Sequence, residues 1–189
     1  MKNEDLRTKT CGVACRFGGV RRHLIFWPIF IVGLVGDLWS KSAVFEWLTA
    51  TPLRTYDVIE GFFRLVVVQN AGAAWGMASG QRVFLVAISA VAMIGVFAVF
   101  LFWKKPSVLI IVTLAMFAAG VCGNLYDRVY NYGRVRDFLD FFWGDYHFPA
   151  FNVADSLLTV SVAILMVVTI LSPPKVAKKD QLPPNDTDG

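Results

Sequence analysis

The chain has little of what metal-dependent and disulfide-stabilised proteins need. Its 189 residues include only two histidines and three cysteines. Cys11 and Cys15 stand without partner ligands, which makes a poor metal site, and three cysteines are too few for a disulfide framework. Neither histidine lies near a plausible nucleophilic serine, which argues against a Ser/His/Asp site. We therefore expect no metal and no cofactor.

Charged residues are also scarce, at 17% of the chain, whereas 56% of the residues are hydrophobic. This balance is typical of an integral membrane protein rather than of a soluble domain. Four runs are long enough to cross a bilayer as helices, because about 20 residues of helix cover the hydrocarbon core. The sequence predicts spans at about 24–44, 83–103, 108–125 and 151–171.

The remaining segments are polar and divide the chain into three parts. The sequence predicts a basic cytoplasmic arm at 1–22, a four-helix transmembrane domain at 23–171, and a disordered cytoplasmic tail rich in proline and lysine at 172–189. The domain includes an external β region at about 45–82, where two short β-branched and aromatic runs predict strands. Attraction to anionic lipid explains the basic arm. No aromatic motif supports nucleic acid binding.

The lysines and arginines predict the orientation in the membrane. Of the 18, 11 fall in the arm, in the turn between spans two and three, and in the tail, whereas seven fall on the opposite side. The positive-inside rule then places both termini in the cytoplasm. Three acids, Asp37, Asp137 and Asp155, would lie near the outer face.

Two of these aspartates, Asp137 and Asp155, are the strongest functional signal. A carboxylate at membrane depth is costly and usually has a function. Either one alone could be a salt-bridged interfacial residue, but both stand beside amide or guanidinium groups. Asn152 precedes Asp155 by three residues, and Asn124 and Arg128 share a helical face if the third span continues.

Two carboxylates close enough to share one proton can hydrolyse a peptide bond. Repulsion between like charges raises one pKa and leaves the other low. The ionised member can then take a proton from water, while the protonated member polarises the carbonyl. A proton or ion carrier is the alternative, although a relay would need ionisable groups in the middle of the spans.

Other charged positions have less specific interpretations. Asp37 and Lys41, four residues apart, fit a mutually neutralising pair and a substrate-facing pair equally well. The acids and bases that follow the third span are typical of a solvated interfacial loop. These are Asp127, Arg134, Arg136, Asp140 and Asp145.

Four sequence blocks resemble, in order, the signature blocks of the lipoprotein signal peptidase family, also called signal peptidase II. The resemblance covers about 24–171. The blocks are DLWSK at 37–41, NAGAAWG at 70–76, GNLYDR at 123–128 with GRVRDF at 133–138, and FNVADS at 151–156.

The resemblance implies an all-α membrane protein with four transmembrane helices and a small extracytoplasmic β-sheet cradle. It implies an aspartyl endopeptidase of the bacterial inner membrane, acting beside membrane lipids and as a monomer. The substrate would be a prolipoprotein whose cysteine carries diacylglycerol, cut on the N-terminal side of that cysteine. Asp137 and Asp155 would be catalytic, and the substrate-binding residues would be Asn70, Gly72, Asn124, Arg128, Asn152, Asp37 and Lys41.

Overall fold

The computed structural model describes residues 3–72, 80–104 and 106–171. The predicted tail at 172–189 and residues 73–76 of the second signature block lie outside these ranges. The elements in chain order are α1 (Asn3–Thr49), β1 (Thr55–Ile59), β2 (Phe63–Asn70), α2 (Arg82–Phe102), α3 (Val108–Tyr130), β3 (Val135–Trp143), β4 (Tyr146–His147) and α4 (Val153–Leu171).

Four helices in the described part of the chain are long and apolar enough to span a membrane, which confirms the predicted fold class. The membrane-length part of the first helix is Gly19–Thr49. Two boundaries differ from the prediction. Helix α1 already begins at Asn3, within the predicted arm, and α3 continues to Tyr130 rather than ending near 125.

Helix α3 is the central helix and packs against α1, α2 and α4. Small residues make this possible, as the sequence predicted. Ala118 and Ala119 are fully buried. A Cβ added to Gly120 would stand 2.6 Å from the carbonyl oxygen of Ala154 in α4, so only glycine allows this approach. Near the opposite end of α3, Phe26, Phe100 and other apolar side chains form the core.

The four strands form one antiparallel sheet in the order β1-β2-β3-β4. Strands β1 and β2 confirm the two predicted strands. Strands β3 and β4 were not predicted, because their charges favoured a solvated loop. Asp140 of β3 is paired across the sheet instead: it lies opposite Arg64 of β2, whose Nε is 2.7 Å from its carboxylate.

Two local features bring β3 to the start of α4. A turn after α3 reverses the chain, with Tyr132 and Gly133 both at positive φ, a conformation that glycine adopts readily. The backbone of Leu139 then pairs with that of Phe151 through two hydrogen bonds, of 2.9 and 3.0 Å. This pairing places the middle of β3 beside the first turn of α4.

Candidate active site

The first turn of α4 is closed by a reciprocal pair of hydrogen bonds between Asn152 and Asp155. Asn152 Oδ1 accepts from the backbone N–H of Asp155 at 3.0 Å, and Asp155 Oδ2 accepts from the backbone N–H of Asn152 at 3.2 Å. This is a capping-box arrangement, which satisfies N–H groups that a helix start otherwise leaves unpaired. The helix dipole favours a carboxylate at a helix start, the position that Asp155 occupies.

The buried amide of Asn152 also reaches the second carboxylate. Asn152 Nδ2 donates to Asp137 Oδ1 at 2.6 Å, and the side chain of Asn70 makes a further hydrogen bond to Asp137. Asn70 ends β2 opposite Val135 of β3, so the sheet register brings its side chain close. One asparagine therefore bridges the two aspartates, and the sheet supports the second of them.

Asn124 of α3 holds Asp155 from the other side. Its Nδ2 donates to Asp155 Oδ1 at 2.7 Å, and its Oδ1 accepts from Lys41 Nζ at 3.0 Å. The lysine thus determines which way the amide points, because an ammonium group can only donate. Lys41 also pairs with Asp37 Oδ2 at 2.7 Å. Asp37 Oδ1 in turn accepts the backbone N–H of Ala154 at the start of α4.

The environment of Asp137 changes its protonation. Burial, and to a smaller extent the negative charge of Asp155, raise the pKa of Asp137 from 3.8 to about 7, although hydrogen bonds from Asn70 and Asn152 and the charge of Lys41 oppose the shift. The side chain is only 2% exposed, which is consistent with this desolvation. At pH values below about 7, Asp137 therefore holds a proton next to Asp155.

Both aspartates line a cavity of about 830 Å³. Its polar end is formed by the two carboxylates together with Asn70, Gly72, Asn124 and Arg128. From there it extends between apolar side chains of three helices, namely Ile88 and Ala92 of α2, Phe117 and Val121 of α3, and Leu158 and Val160 of α4. This shape can hold a polar chain segment at the carboxylates and an apolar group along the helices.

The structure brings together all nine residues that the sequence analysis selected, but in two layers. Asn70, Gly72, Asn124 and Arg128 face the cavity with the aspartates. Arg128 also ties the Asn70–Gly72 segment to α3, since its Nη2 donates to the Gly72 carbonyl at 3.2 Å. In contrast, Asp37, Lys41 and Asn152 are fully buried behind the cavity wall. These three support the site from behind, whereas the resemblance implied that they bind substrate. For Asp37 and Lys41, their ion pair matches the other interpretation, a mutually neutralising pair.

The interpretation of the charges after α3 as a solvated loop is wrong for two of them. Asp127 is fully buried and Asp140 is 5% exposed. The pattern of the sequence gave no sign of this, because the partners of Asp127 come from α1 and β3. The cavity residues of α2, including Ser89 and Ala92, were also missed, since an apolar helix shows no site signal in its own sequence.

Comparison with known proteins identifies relatives over most of the chain. A family model described as "Signal peptidase (SPase) II" matches residues 29–171. The lipoprotein signal peptidase of Geobacter sulfurreducens is 44% identical over 149 residues, which are 77% of this chain and 91% of the relative. That of Symbiobacterium thermophilum is 41% identical over 144 residues, which are 75% of this chain and 91% of the relative.

A solved structure shares the architecture. It is described as a bacterial membrane enzyme structure determined by the in meso method at 2.3 Å resolution. The two chains superpose with a TM-score of 0.66 and 30% sequence identity, over 79% of this chain and 92% of the other.

Proposed function

The chain belongs to the signal peptidase II family, and on that premise we propose that it is an aspartyl endopeptidase that uses Asp137 and Asp155. It is a multi-pass bacterial membrane peptidase that removes signal peptides from prolipoproteins. The observation that carries the aspartyl assignment is the Asn152 side chain, which caps Asp155 and donates to Asp137 at 2.6 Å. Family membership also argues against the alternative of a proton or ion carrier.

The geometry supports a division of labour between the two carboxylates. Asp155, at a helix N-terminus and bonded by Asn124, acts as the base and takes a proton from water. Asp137 is protonated below about pH 7 and donates its proton to the scissile carbonyl oxygen. Water adds to the carbon, giving a gem-diol.

Collapse of the gem-diol restores the site. Asp155 gives its proton to the nitrogen of the lipidated cysteine as the C–N bond breaks. One hydroxyl of the gem-diol returns a proton to Asp137, so the products are a carboxylic acid and a new amino terminus. The chemistry needs one proton shared between the two carboxylates. We expect the protein to act as a monomer, since one chain supplies both carboxylates and their partners.

The pH dependence of cleavage tests this assignment. We expect purified protein to cut a diacylglyceryl lipobox peptide before its cysteine, with kcat/KM falling about tenfold per pH unit above about pH 7 as Asp137 ionises. It should also fall in acid, because the proposed chemistry needs a single proton shared between the two carboxylates. Product masses and rates from pH 4 to 9 provide the measurement.

A metal-free and thiol-independent mechanism makes a second prediction. EDTA and a thiol-alkylating reagent should leave the rate of cleavage unchanged. Loss of activity on chelation that zinc restores would contradict the proposal.

We propose that the sheet and the carboxylates lie on the outer side of the membrane, with both termini in the cytoplasm. Single cysteines in a cysteine-free background provide the test at three exposed positions. Cysteines replacing Asp57 or Asp145 should react with a membrane-impermeant thiol reagent in cells whose inner membrane is accessible from outside. A cysteine replacing Lys104 should react only after the membrane is permeabilised. The reverse pattern would place the site on the cytoplasmic side.

A further inference from the structure

A buried carboxylate, Asp127, forms an ion pair with Arg136, the residue that precedes Asp137 in β3. Asp127, near the end of α3, is fully buried. Its Oδ1 accepts from Arg136 Nη2 at 2.7 Å and from Arg136 Nε at 3.1 Å. Its Oδ2 accepts from the backbone N–H of the same residue at 2.9 Å. A single carboxylate thus holds both the guanidinium fork and the backbone of Arg136, which is a strong and directional arrangement.

Arg136 is the residue before Asp137 in β3, and it contacts three other parts of the fold. Its Nη1 donates to Ser42 Oγ of α1 at 3.1 Å. Its carbonyl oxygen accepts from Asn152 Nδ2 at 3.4 Å, at the start of α4. With Asp127 in α3, the side chain and backbone of Arg136 therefore join β3 to three helices at the position next to Asp137.

The pair belongs to a cluster of four charges that sums to zero. Lys41 Nζ lies 2.7 Å from Asp37 Oδ2 and 3.5 Å from Asp127 Oδ2. Buried charges are tolerated when each has partners and hydrogen bonds. The same lysine orients Asn124, which donates to Asp155. The cluster therefore reaches Asp155 through Asn124 and reaches Asp137 through Arg136, the neighbouring residue in the strand.

We propose that the Asp127–Arg136 ion pair is a positioning element that fixes the β3 backbone so that Asp137 faces Asp155. This inference rests on the proposed dyad and adds two residues that do not line the cavity. A displacement of about 1 Å at a reacting group can cost a hundredfold in rate. An ion pair bound to the backbone one residue from the carboxylate is well placed to prevent such a displacement.

The steady-state kinetics of Arg136→Gln test the proposal. Glutamine cannot form the guanidinium fork, so we expect kcat per folded enzyme to fall at least about tenfold, with KM changing less than about threefold because the cavity wall is intact. Arg136→Lys keeps the charge without the fork, so its kcat should lie between that of the wild type and that of Arg136→Gln. Arg134→Gln is the matched control, since Arg134 is exposed and its Nη1 donates to Gln69.

A double-mutant cycle separates positioning from folding. Asp127→Asn, Arg136→Gln and the double variant are compared in kcat and in melting temperature. The double variant removes one charge of each sign, so the buried cluster stays neutral. Its kcat should be no lower than that of the more impaired single variant.

Two results would overturn the proposal. The first is a wild-type kcat in Arg136→Gln, with only its melting temperature lowered. The second is a double variant whose loss of kcat equals the combined losses of the two single variants. Neither outcome bears on the dyad, which Asp137→Asn tests separately.

Discussion

Replacing Asp137 or Asp155 with asparagine is expected to lower kcat at least about a thousandfold. Asparagine keeps the shape and can still accept the amide hydrogen bonds from Asn124 or Asn152. It can neither donate a proton to the carbonyl oxygen, the role proposed for Asp137, nor take a proton from water, the role proposed for Asp155. If the two carboxylates act as one unit, as proposed, the double variant should be no worse than either single variant. Single-turnover cleavage of the lipidated lipobox peptide measures the loss.

Stability measurements distinguish this loss from unfolding. Because burial raises the pKa of Asp137 from 3.8 to about 7, the folded state binds its proton more tightly than the unfolded state. The stabilisation that Asp137 contributes is therefore complete below about pH 4 and is lost as the pH rises to about 7. Removing the carboxylate should leave Asp137→Asn at least as stable as the wild type at pH 8, by up to roughly 4 kcal/mol.

Asp145→Asn is the matched control for the dyad variants. Asp145 is an exposed acid in the turn between β3 and β4, so its loss should change neither kcat nor stability. If Asp137→Asn kept substantial turnover, the dyad would be wrong and another acid of β3 would have to be considered. Normal activity in Asp155→Asn would exclude the capped carboxylate as the base.

Removing the diacylglyceryl group from the substrate is expected to lower kcat/KM at least about a hundredfold. The apolar part of the cavity extends from the two carboxylates along Ile88, Phe117 and Leu158. Each buried methylene of an acyl chain contributes about 0.8 kcal/mol, so the lipid can hold the peptide bond at the depth of the dyad. A peptide whose cysteine carries only a short alkyl group controls for loss of the free thiol.

A pair of α2 variants tests whether the cavity is where the lipid binds. Ala92 lines the cavity, whereas its neighbour Val91 is 68% exposed on the helix surface. Ala92→Phe should reduce cleavage of the lipidated peptide and leave the slow cleavage of the unlipidated peptide unchanged. Val91→Phe should affect neither. Equal kcat/KM for lipidated and unlipidated peptides would instead indicate a peptidase that does not recognise the diacylglyceryl group.

Most of the fold could be predicted from the sequence, because the hydrophobic pattern of neighbouring residues indicates each helix span and each of the first two strands. Strands β3 and β4 were not accessible in this way. Charges such as Asp140 favour a loop when read alone, and they fit a strand only because Arg64 stands opposite on β2. The capping box was present in the sequence, as Asn152 and Asp155 with the correct spacing before an apolar run, and could have been found.

The sequence by itself determined the membrane class and the four spans, and it pointed to the two aspartates that we propose as the dyad, because hydropathy, local spacing and signature blocks are properties of neighbouring residues. Only the tertiary structure decided which side chains face the cavity and which support it from behind. Lys41 and Asp127 are separated along the chain, yet Lys41 Nζ lies 3.5 Å from Asp127 Oδ2 because α3 packs closely against α1. Burial and charge pairing depend on such long-range packing, so the pKa of Asp137 and the tie between Asp127 and Arg136 arise only in the folded protein.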